Sequence, residues 1–387
     1  MRTKRRRLST STMSPPPPPP TTTITSLPDD VVADILLRLP SPTSIFRAAL
    51  ASKHWCSVAV SPSFVRLIRE HHHFPALLGH FLSCNHSSTL PLFQPVPLHA
   101  DPALAAVVRC GDFFFTRLQD SGRCALEDCH HGFLLFSNRT KLTIFDPTTH
   151  QAVYLPRPPR RPAPENDYVA HTFCLLRDSG GARDRHRQFF RVISLQHRNR
   201  SARAEEYDSR SGEWRAHPCT VLTPARSHDN RFFPAMHAAG RIYWKYSSTR
   251  LLLCLDTKTM RFSYVRVPAG VSHGSAYAVG ETEDGKCCLV HVYYCSEGGC
   301  HQLQVWLRGD EADAEPWLLV RDEPLRLGSP APVHWRARQV RAVVAGLVLV
   351  CFNGSSAHLP HVAFRLKSLK VEAEFTCRGP ARPYLFE

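Results

Sequence analysis

Two hydrophobic periods divide the chain. Between residues 25 and 70 the apolar positions repeat every three to four residues, the spacing of an amphipathic helix. Ser26-Leu27-Pro28-Asp29-Asp30 offers a cap, a proline suited to a first turn, and acids for the positive end of a helix. Val31, Val32, Ile35, Leu36 and Leu39 then form one stripe, with Asp34 and Arg38 opposite, until Pro40 stops the run. Ser41-Pro42-Thr43 restarts it. Ile45, Phe46, Ala49 and Leu50 make a second stripe, and Trp55, Val58 and Ala59 a third. After Pro62, Phe64, Val65, Leu67 and Ile68 close the segment. Three short helices in about 45 residues bury little surface by themselves, so the unit calls for a partner or a neighbouring domain.

From His71 the texture changes to short runs of Val, Ile, Leu, Phe and Tyr separated by Gly, Pro, Asp and Ser, the signature of many short antiparallel strands. Expected strands include Gly132–Ser137, Leu142–Phe145, Ala152–Leu155, Phe189–Leu195, Arg241–Lys245, Leu251–Leu255, Phe262–Val267, Cys287–Tyr294, Gln302–Leu307, Ala342–Phe352 and His361–Leu366. A weak repeat runs through them. Phe145-Asp146-Pro147-Thr148-Thr149 leads to Val153 and Pro156, Tyr207-Asp208-Ser209-Arg210-Ser211 to Trp214 and Pro218, and Leu255-Asp256-Thr257-Lys258-Thr259 to Phe262 and Pro268. In each, a strand should end at the aspartate, whose carboxylate accepts a backbone N–H two residues on and shapes a hairpin turn. Degraded copies recur at Leu307-Arg308-Gly309-Asp310 and Leu366-Lys367-Ser368-Leu369. Units of roughly 45–60 residues predict propeller blades, with a β-sandwich pair as the alternative. Phe74–Leu118 fits either a further blade or an irregular bridge.

The expected fold is therefore α+β and multi-domain. Residues 1–24 form a basic, proline-rich tail without a core, residues 25–70 a small three-helix unit, and residues 71–387 a large all-β domain. Lys and Arg outnumber Asp and Glu by 48 to 33, a formal charge of +15. Five of those charges (Arg2, Lys4, Arg5, Arg6, Arg7) lie in the tail, where Lys4–Arg7 has the composition of a nuclear import signal. Ser9–Thr25 carries Pro15–Pro20 and offers no apolar core for a secretory signal. The run Ala342–Phe352 is about half the length of a bilayer-spanning helix. The chain reads as soluble and unsecreted, its 14 cysteines as reduced thiols.

Catalytic chemistry leaves little trace. Gly280, Gly285 and Gly298-Gly299 do not sit in a phosphate-binding strand–loop–helix context, and there is no nucleophile elbow. Cys124, Cys129, His130 and His131 cluster in sequence, as do Cys287, Cys288, His291, Cys295, Cys300 and His301. Neither group has paired C-x-x-C knuckles, and strand alternation should point Cys287 and Cys288 to opposite faces, so buried thiols are expected and no metal or cofactor. His71-His72-His73 reads as a solvated hinge. Arg157–Arg161, Arg183–Arg187 and Arg198–Arg203 read as solvated loops, though they could meet phosphates or an acidic target. Trp214, Trp244, Trp306 and Trp335 read first as packing between blades and second as substrate anchors.

The segment Leu27-Pro28-Asp29-Asp30-Val31-Val32-Ala33-Asp34-Ile35-Leu36-Leu37-Arg38-Leu39-Pro40, with Ala51-Ser52-Lys53-His54-Trp55 and Ser61-Pro62-Ser63-Phe64, resembles an F-box. Cys129-His130-His131-Gly132-Phe133-Leu134-Leu135 and Phe145-Asp146-Pro147-Thr148-Thr149 resemble the β-rich associated region of the large plant F-box families. The resemblance implies a non-catalytic substrate receptor of a cullin–RING ubiquitin ligase, serving protein degradation in the nucleus or cytoplasm. Its F-box would dock a Skp-type adaptor, and through it a cullin, while residues 71–387 hold a substrate protein. Leu27, Pro28, Ile35, Leu36, Leu39, Pro40, Phe46, Lys53 and Trp55 match the family positions that meet the adaptor. Ala48, Ala49 and Ala51 stand where the family often carries larger apolar residues, which implies weaker docking by the second helix. Neither a membrane nor nucleic acid is an expected partner. The alternative, from the charge, is a basic nuclear protein that binds nucleic acid and uses its helices for another protein contact.

Overall fold

The computed structural model describes residues 27–39, 42–61, 63–64, 67, 76–83, 90–97, 102–118, 124–159, 170–177, 189–198, 201–221, 234–245, 250–272, 274–309, 317–325, 335–354 and 358–386. Two compact units meet in sequence between Leu67 and Ile68. The basic tail, Pro40, Pro62 and the triple histidine lie outside the described residues.

The first unit contains α1 (Asp29–Leu37), α2 (Pro42–Leu50) and α3 (Lys53–Ala59). Pro28 stands at the N-cap of α1 with extended backbone, and Asp29 and Asp30 fill the first turn. Ser52 caps α3, its hydroxyl accepting from the His54 N–H at 3.2 Å. Val32, Leu36, Ile45, Ala49, Val58, Ala59 and Phe64 form the core. His54 Nε2 donates to Asp29 Oδ1 at 2.7 Å, tying α3 to the start of α1.

The second unit is a six-bladed β-propeller. Blade 2 is β3 (Ala125–His130), β4 (Phe133–Ser137), β5 (Lys141–Asp146) and β6 (Gln151–Pro156), paired in that order. Blade 3 is β7 (Ala170–Arg177), β8 (Phe190–Arg198), β9 (Ser201–Asp208) and an outer strand interrupted into β10 (Glu213–Ala216) and β11 (Thr220–Val221). Blade 4 is β12 (Met236–Ala238), β13 (Arg241–Lys245), β14 (Leu251–Asp256) and β15 (Arg261–Arg266), and blade 5 is β16 (Ala276–Glu281), β17 (Cys287–Cys295), β18 (Cys300–Arg308) and β19 (Trp317–Pro324). Blade 6 is β20 (Ala337–Val344), β21 (Leu347–Phe352), β22 (Leu359–Arg365) and β23 (Val371–Cys377).

Blade 1 settles the reading of Phe74–Leu118. Its described residues supply β1 (Ala76–Leu82), β2 (Leu92–Pro95) and a helix, α4 (Pro102–Cys110). The remaining strand of blade 1 is β24 (Ala381–Phe386), from the far end of the chain, paired antiparallel with β1 from Ala76↔Phe386 to Leu82↔Ala381. The ring is thus closed by strands about 300 residues apart in sequence.

One hydrophobic layer fills each junction between neighbouring blades. Leu135, Ile144, Leu175 and Val192 join blades 2 and 3; Ile193, Leu195, Trp244 and Leu253 join 3 and 4. Tyr243, Cys254, Leu289 and Trp306 join 4 and 5, and Val290, Val305, Val350 and Phe364 join 5 and 6. Leu77, Leu349, Ala363 and Leu385 join 6 and 1. Between blades 1 and 2 the layer is aromatic: Phe81, Phe93, Phe113, Phe115 and Tyr384 lie in ring contact, and Phe115 meets Phe136 and Phe145 of blade 2. Consecutive residues such as Tyr243 and Trp244 belong to opposite junctions, because a blade's middle strands are covered on both sides. That double burial explains the unbroken apolar runs. The β-sandwich alternative is not what the chain forms.

Candidate functional site

In the helical unit, the residues matched to adaptor contact divide by helical phase. Pro28 and Lys53 are exposed, and Leu27, Ile35, Leu39 and Trp55 are half-buried. Leu36 has no exposed surface and lies with Val32 on the inner face of α1, one turn apart. The free unit does not present Leu36; it is a core residue. Phe46 lies within α2, but its side chain, like Pro40, is outside the described residues. Val31 and Leu50, which the spacing placed in its apolar stripes without matching them to adaptor contact, and Val60, which it did not single out, are 38%, 69% and 61% exposed. Together with half-buried Leu27, Ile35 and Leu39, they leave a nine-residue helix and its neighbours with more apolar surface than their own core covers.

In the propeller, the aspartate repeat forms the expected turns. Asp146 Oδ1 accepts from Thr148 N at 2.9 Å and Thr148 Oγ1 at 2.7 Å. Asp256 Oδ1 accepts from Lys258 N at 3.0 Å, Thr259 N at 2.8 Å and Thr259 Oγ1 at 3.0 Å. Asp208 Oδ1 accepts from Arg210 N at 2.8 Å. Four residues after each aspartate the backbone turns left-handed, at His150, Gly212 and Met260. The degraded copy in blade 6 keeps this geometry at Leu369 (φ 53°) with Arg365 in the aspartate's place, its guanidinium paired with Glu372 at 2.7 Å. A second repeat escaped the sequence reading. His131-Gly132, Ala239-Gly240 and Ala345-Gly346 close the first hairpins of blades 2, 4 and 6 with two successive positive φ values, and a glycine before an apolar run was its signal.

The innermost strands carry a buried polar link. Asp128 on β3 accepts from His237 Nε2 on β12, Leu175 N on β7 and Cys129 N, each at 2.9 Å, with Arg382 of β24 at 3.9 Å. Burial works to raise the Asp128 carboxyl, but His237, Arg382 and the Leu175 N–H outweigh it and hold it below its usual range. His130 stacks on His237 with ring centroids 4.1 Å apart, and burial, then the neighbouring charges, push it well below the usual imidazole value. This constellation fastens blades 1, 2, 3 and 4 to one carboxylate.

The four tryptophans and the Cys287–Cys288 pair are packing residues, while Arg183–Arg187 lie outside the described residues. Trp244 is fully buried and Trp306 nearly so, while Trp214 donates from Nε1 to Pro156 O at 2.9 Å, holding blade 3 on blade 2. Trp335 is half-buried and stacks on Phe352. Cys288 packs between blades 5 and 6 and Cys287 between 4 and 5, on opposite faces of β17. No helix among the described residues is long and apolar enough to cross a membrane.

Comparison with known proteins follows this division. Residues 24–69 match the F-box-like family, and residues 125–327, more than half the chain, match the family described as F-box protein AT5G49610-like, beta-propeller. F-box only protein 8 of Arabidopsis thaliana is 32% identical over 138 residues, covering 34% of this chain and 42% of the relative. The Arabidopsis thaliana F-box protein At4g21240 is 29% identical over 133 residues, covering 34% of this chain and 30% of the relative. The chain thus spans less than half the length of both relatives. Among solved structures, a luciferin-regenerating enzyme is similar at 10% identity and TM-score 0.35, covering 65% of this chain and 75% of that one, too distant to carry chemistry across. With helices matching the F-box and blades matching the propeller, the chain belongs to the plant F-box proteins with an AT5G49610-like β-propeller.

Proposed function

We propose that the chain is the substrate-recognition subunit of a Skp–cullin–F-box ubiquitin ligase, with the propeller holding a target protein and ubiquitin transfer occurring on other subunits. The observation that carries this reading is the unfinished helical unit. It is complete in its core around Leu36 and still leaves Val31 and Ile35 of α1, with Leu27 and Leu39 at its two ends, at least partly uncovered. A helix face of that kind is suited to an apolar groove on a partner. The propeller's part is geometric: six closed blades hold a bound target at a fixed place, which raises its effective concentration near a conjugating enzyme. The chain would act in the nucleus or cytoplasm.

Co-expression with a Skp-type adaptor followed by size exclusion tests the docking. The expected result is a one-to-one complex that Ile35→Asp with Leu39→Asp abolishes while the helical content stays. Free adaptor eluting beside the folded chain would overturn the reading and bring forward nucleic-acid binding, recognisable by a steep loss of affinity with salt.

A further inference from the structure

Blade 5 ends its central hairpin in a pair of thiols. β17 and β18 are antiparallel, and Cys295 and Cys300 are direct partners in their register, the last pair before the turn Ser296-Glu297-Gly298-Gly299. Directly opposed residues of an antiparallel pair have Cα atoms about 4.5–5.5 Å apart, within the span a disulfide bridges. A Cβ built on Gly298 would lie 3.4 Å from Cys300 Sγ and 3.8 Å from Cys295 Sγ, so both sulfurs turn towards one point over the loop. Both residues are half-buried free thiols, open to a small oxidant, whereas Cys287 and Cys288 on the same strand are buried. Gln302 Nε2 donates to Cys300 Sγ at 3.4 Å, and Gly299 takes φ 61°, a turn glycine that keeps the two strand ends in register.

We propose that Cys295 and Cys300 form a reversible dithiol–disulfide site. Its substrate class is a small disulfide or peroxide, and glutathione disulfide is the probe. One cysteine thiolate attacks a sulfur of glutathione disulfide and expels glutathione thiolate. The second cysteine attacks the protein sulfur of that mixed disulfide and expels the other glutathione. Two protein thiols lose two electrons and two protons, and one glutathione disulfide becomes two glutathiones. The closed ring staples the hairpin beside Tyr294, whose face carries the Arg336 guanidinium at 3.6 Å and whose edge meets His301 at 5.4 Å. The site rests on this hairpin's register and is independent of the ligase reading.

The test treats the full chain with glutathione disulfide, quenches with iodoacetamide and digests with chymotrypsin. Cleavage after Tyr294 and Leu303 isolates Cys295 and Cys300 from every other cysteine. The expected peptide has lost two hydrogens and carries no alkyl group, and dithiothreitol returns both thiols to alkylation. Closure should run about tenfold faster in the folded chain than in urea, because the strand pairing holds the thiols together. Cys300→Ser should leave Cys295 alkylated or as a glutathione adduct. Two alkylated sulfurs, or two separate glutathione adducts, under conditions that oxidise the exposed Cys110 and Cys219 would overturn the proposal. So would equal rates in the folded and urea-unfolded chains.

Discussion

His237 Nε2 donates to Asp128 Oδ2 at 2.9 Å, joining the innermost strand of blade 4 to that of blade 2 past the intervening β7. Asp128 is 3% exposed, so removing it takes the carboxylate acceptor from an imidazole and two backbone N–H groups. Asp128→Ala should lower the unfolding free energy of the propeller by about 3–5 kcal/mol. Adding His237→Ala should cost less than the two single changes predict, because both remove the same link. Urea unfolding followed by tryptophan fluorescence measures all three.

Acid should loosen the seam between blades 6 and 1. Phe375 lies between His80 and His361, with ring centroids 4.4 and 5.1 Å away. Burial, then the charge of His361, pushes His80 down to about 3; burial, with Arg341 beside it, pushes His361 down to about 4. Both are neutral in the folded chain at pH 5, while the unfolded chain binds a proton at each below about 6.5. Stability is therefore full above the unfolded value and falls as pH drops through 6.5 towards the folded values, by about 2 kcal/mol per histidine at pH 5. Thermal melts at pH 7.5 and 5 should differ accordingly, and His361→Gln should flatten the difference.

The three aspartate turns should rank by the bonds each accepts. Asp256→Ala loses three donors' acceptor and should cost about 1–2 kcal/mol, and Asp146→Ala the same. Asp208→Ala, which loses the acceptor of the Arg210 N–H, should cost less than about 1 kcal/mol. Equal losses at all three would show that the turns are set by the left-handed residue alone.

Gly280 on β16 sits where blade 5 meets blade 6, and a Cβ there would lie 1.9 Å from the Val343 carbonyl oxygen. Gly280→Ala must push two innermost strands apart and should cost about 3 kcal/mol. Gly274→Ala meets nothing within 4 Å and should stay within about 0.5 kcal/mol.

Neighbouring residues of α1 should separate folding from docking. Leu36→Asp buries a charge in the core of the helical unit and should unfold it, whereas Ile35→Asp should keep the helices. Circular dichroism and protease sensitivity of the full chain distinguish the two, and only Ile35→Asp is informative about a partner.

The sequence announced what is local and hid what is distant. The Asp146, Asp208 and Asp256 turns were legible because a carboxylate and the N–H it accepts lie two residues apart. The three-helix unit was legible from its stripes, but the inward turn of Leu36 beside a half-exposed Ile35 was not, since a residue's phase depends on where α2 and α3 pack. The Gly132, Gly240 and Gly346 repeat was present and overlooked, as its positive φ values leave only a single residue type as a trace. Blade 1 was legible only as one of two options for Phe74–Leu118: β1 carries no mark naming β24 as its partner, and the Asp128 network joins residues from three other strands.

The pairing of β1 with β24 sets a timetable for biosynthesis. A ribosome adding roughly 5–20 residues per second needs on the order of tens of seconds to travel from β1 to β24. Through that interval β1 has β2 on one edge and no neighbour on the other, and the apolar face of Leu77, joined late by Leu349, waits for Leu385. An open strand edge of this kind recruits other strands. The nascent chain thus carries β1 with one open edge until β24 has been made, and a holding chaperone would have most to protect at that edge.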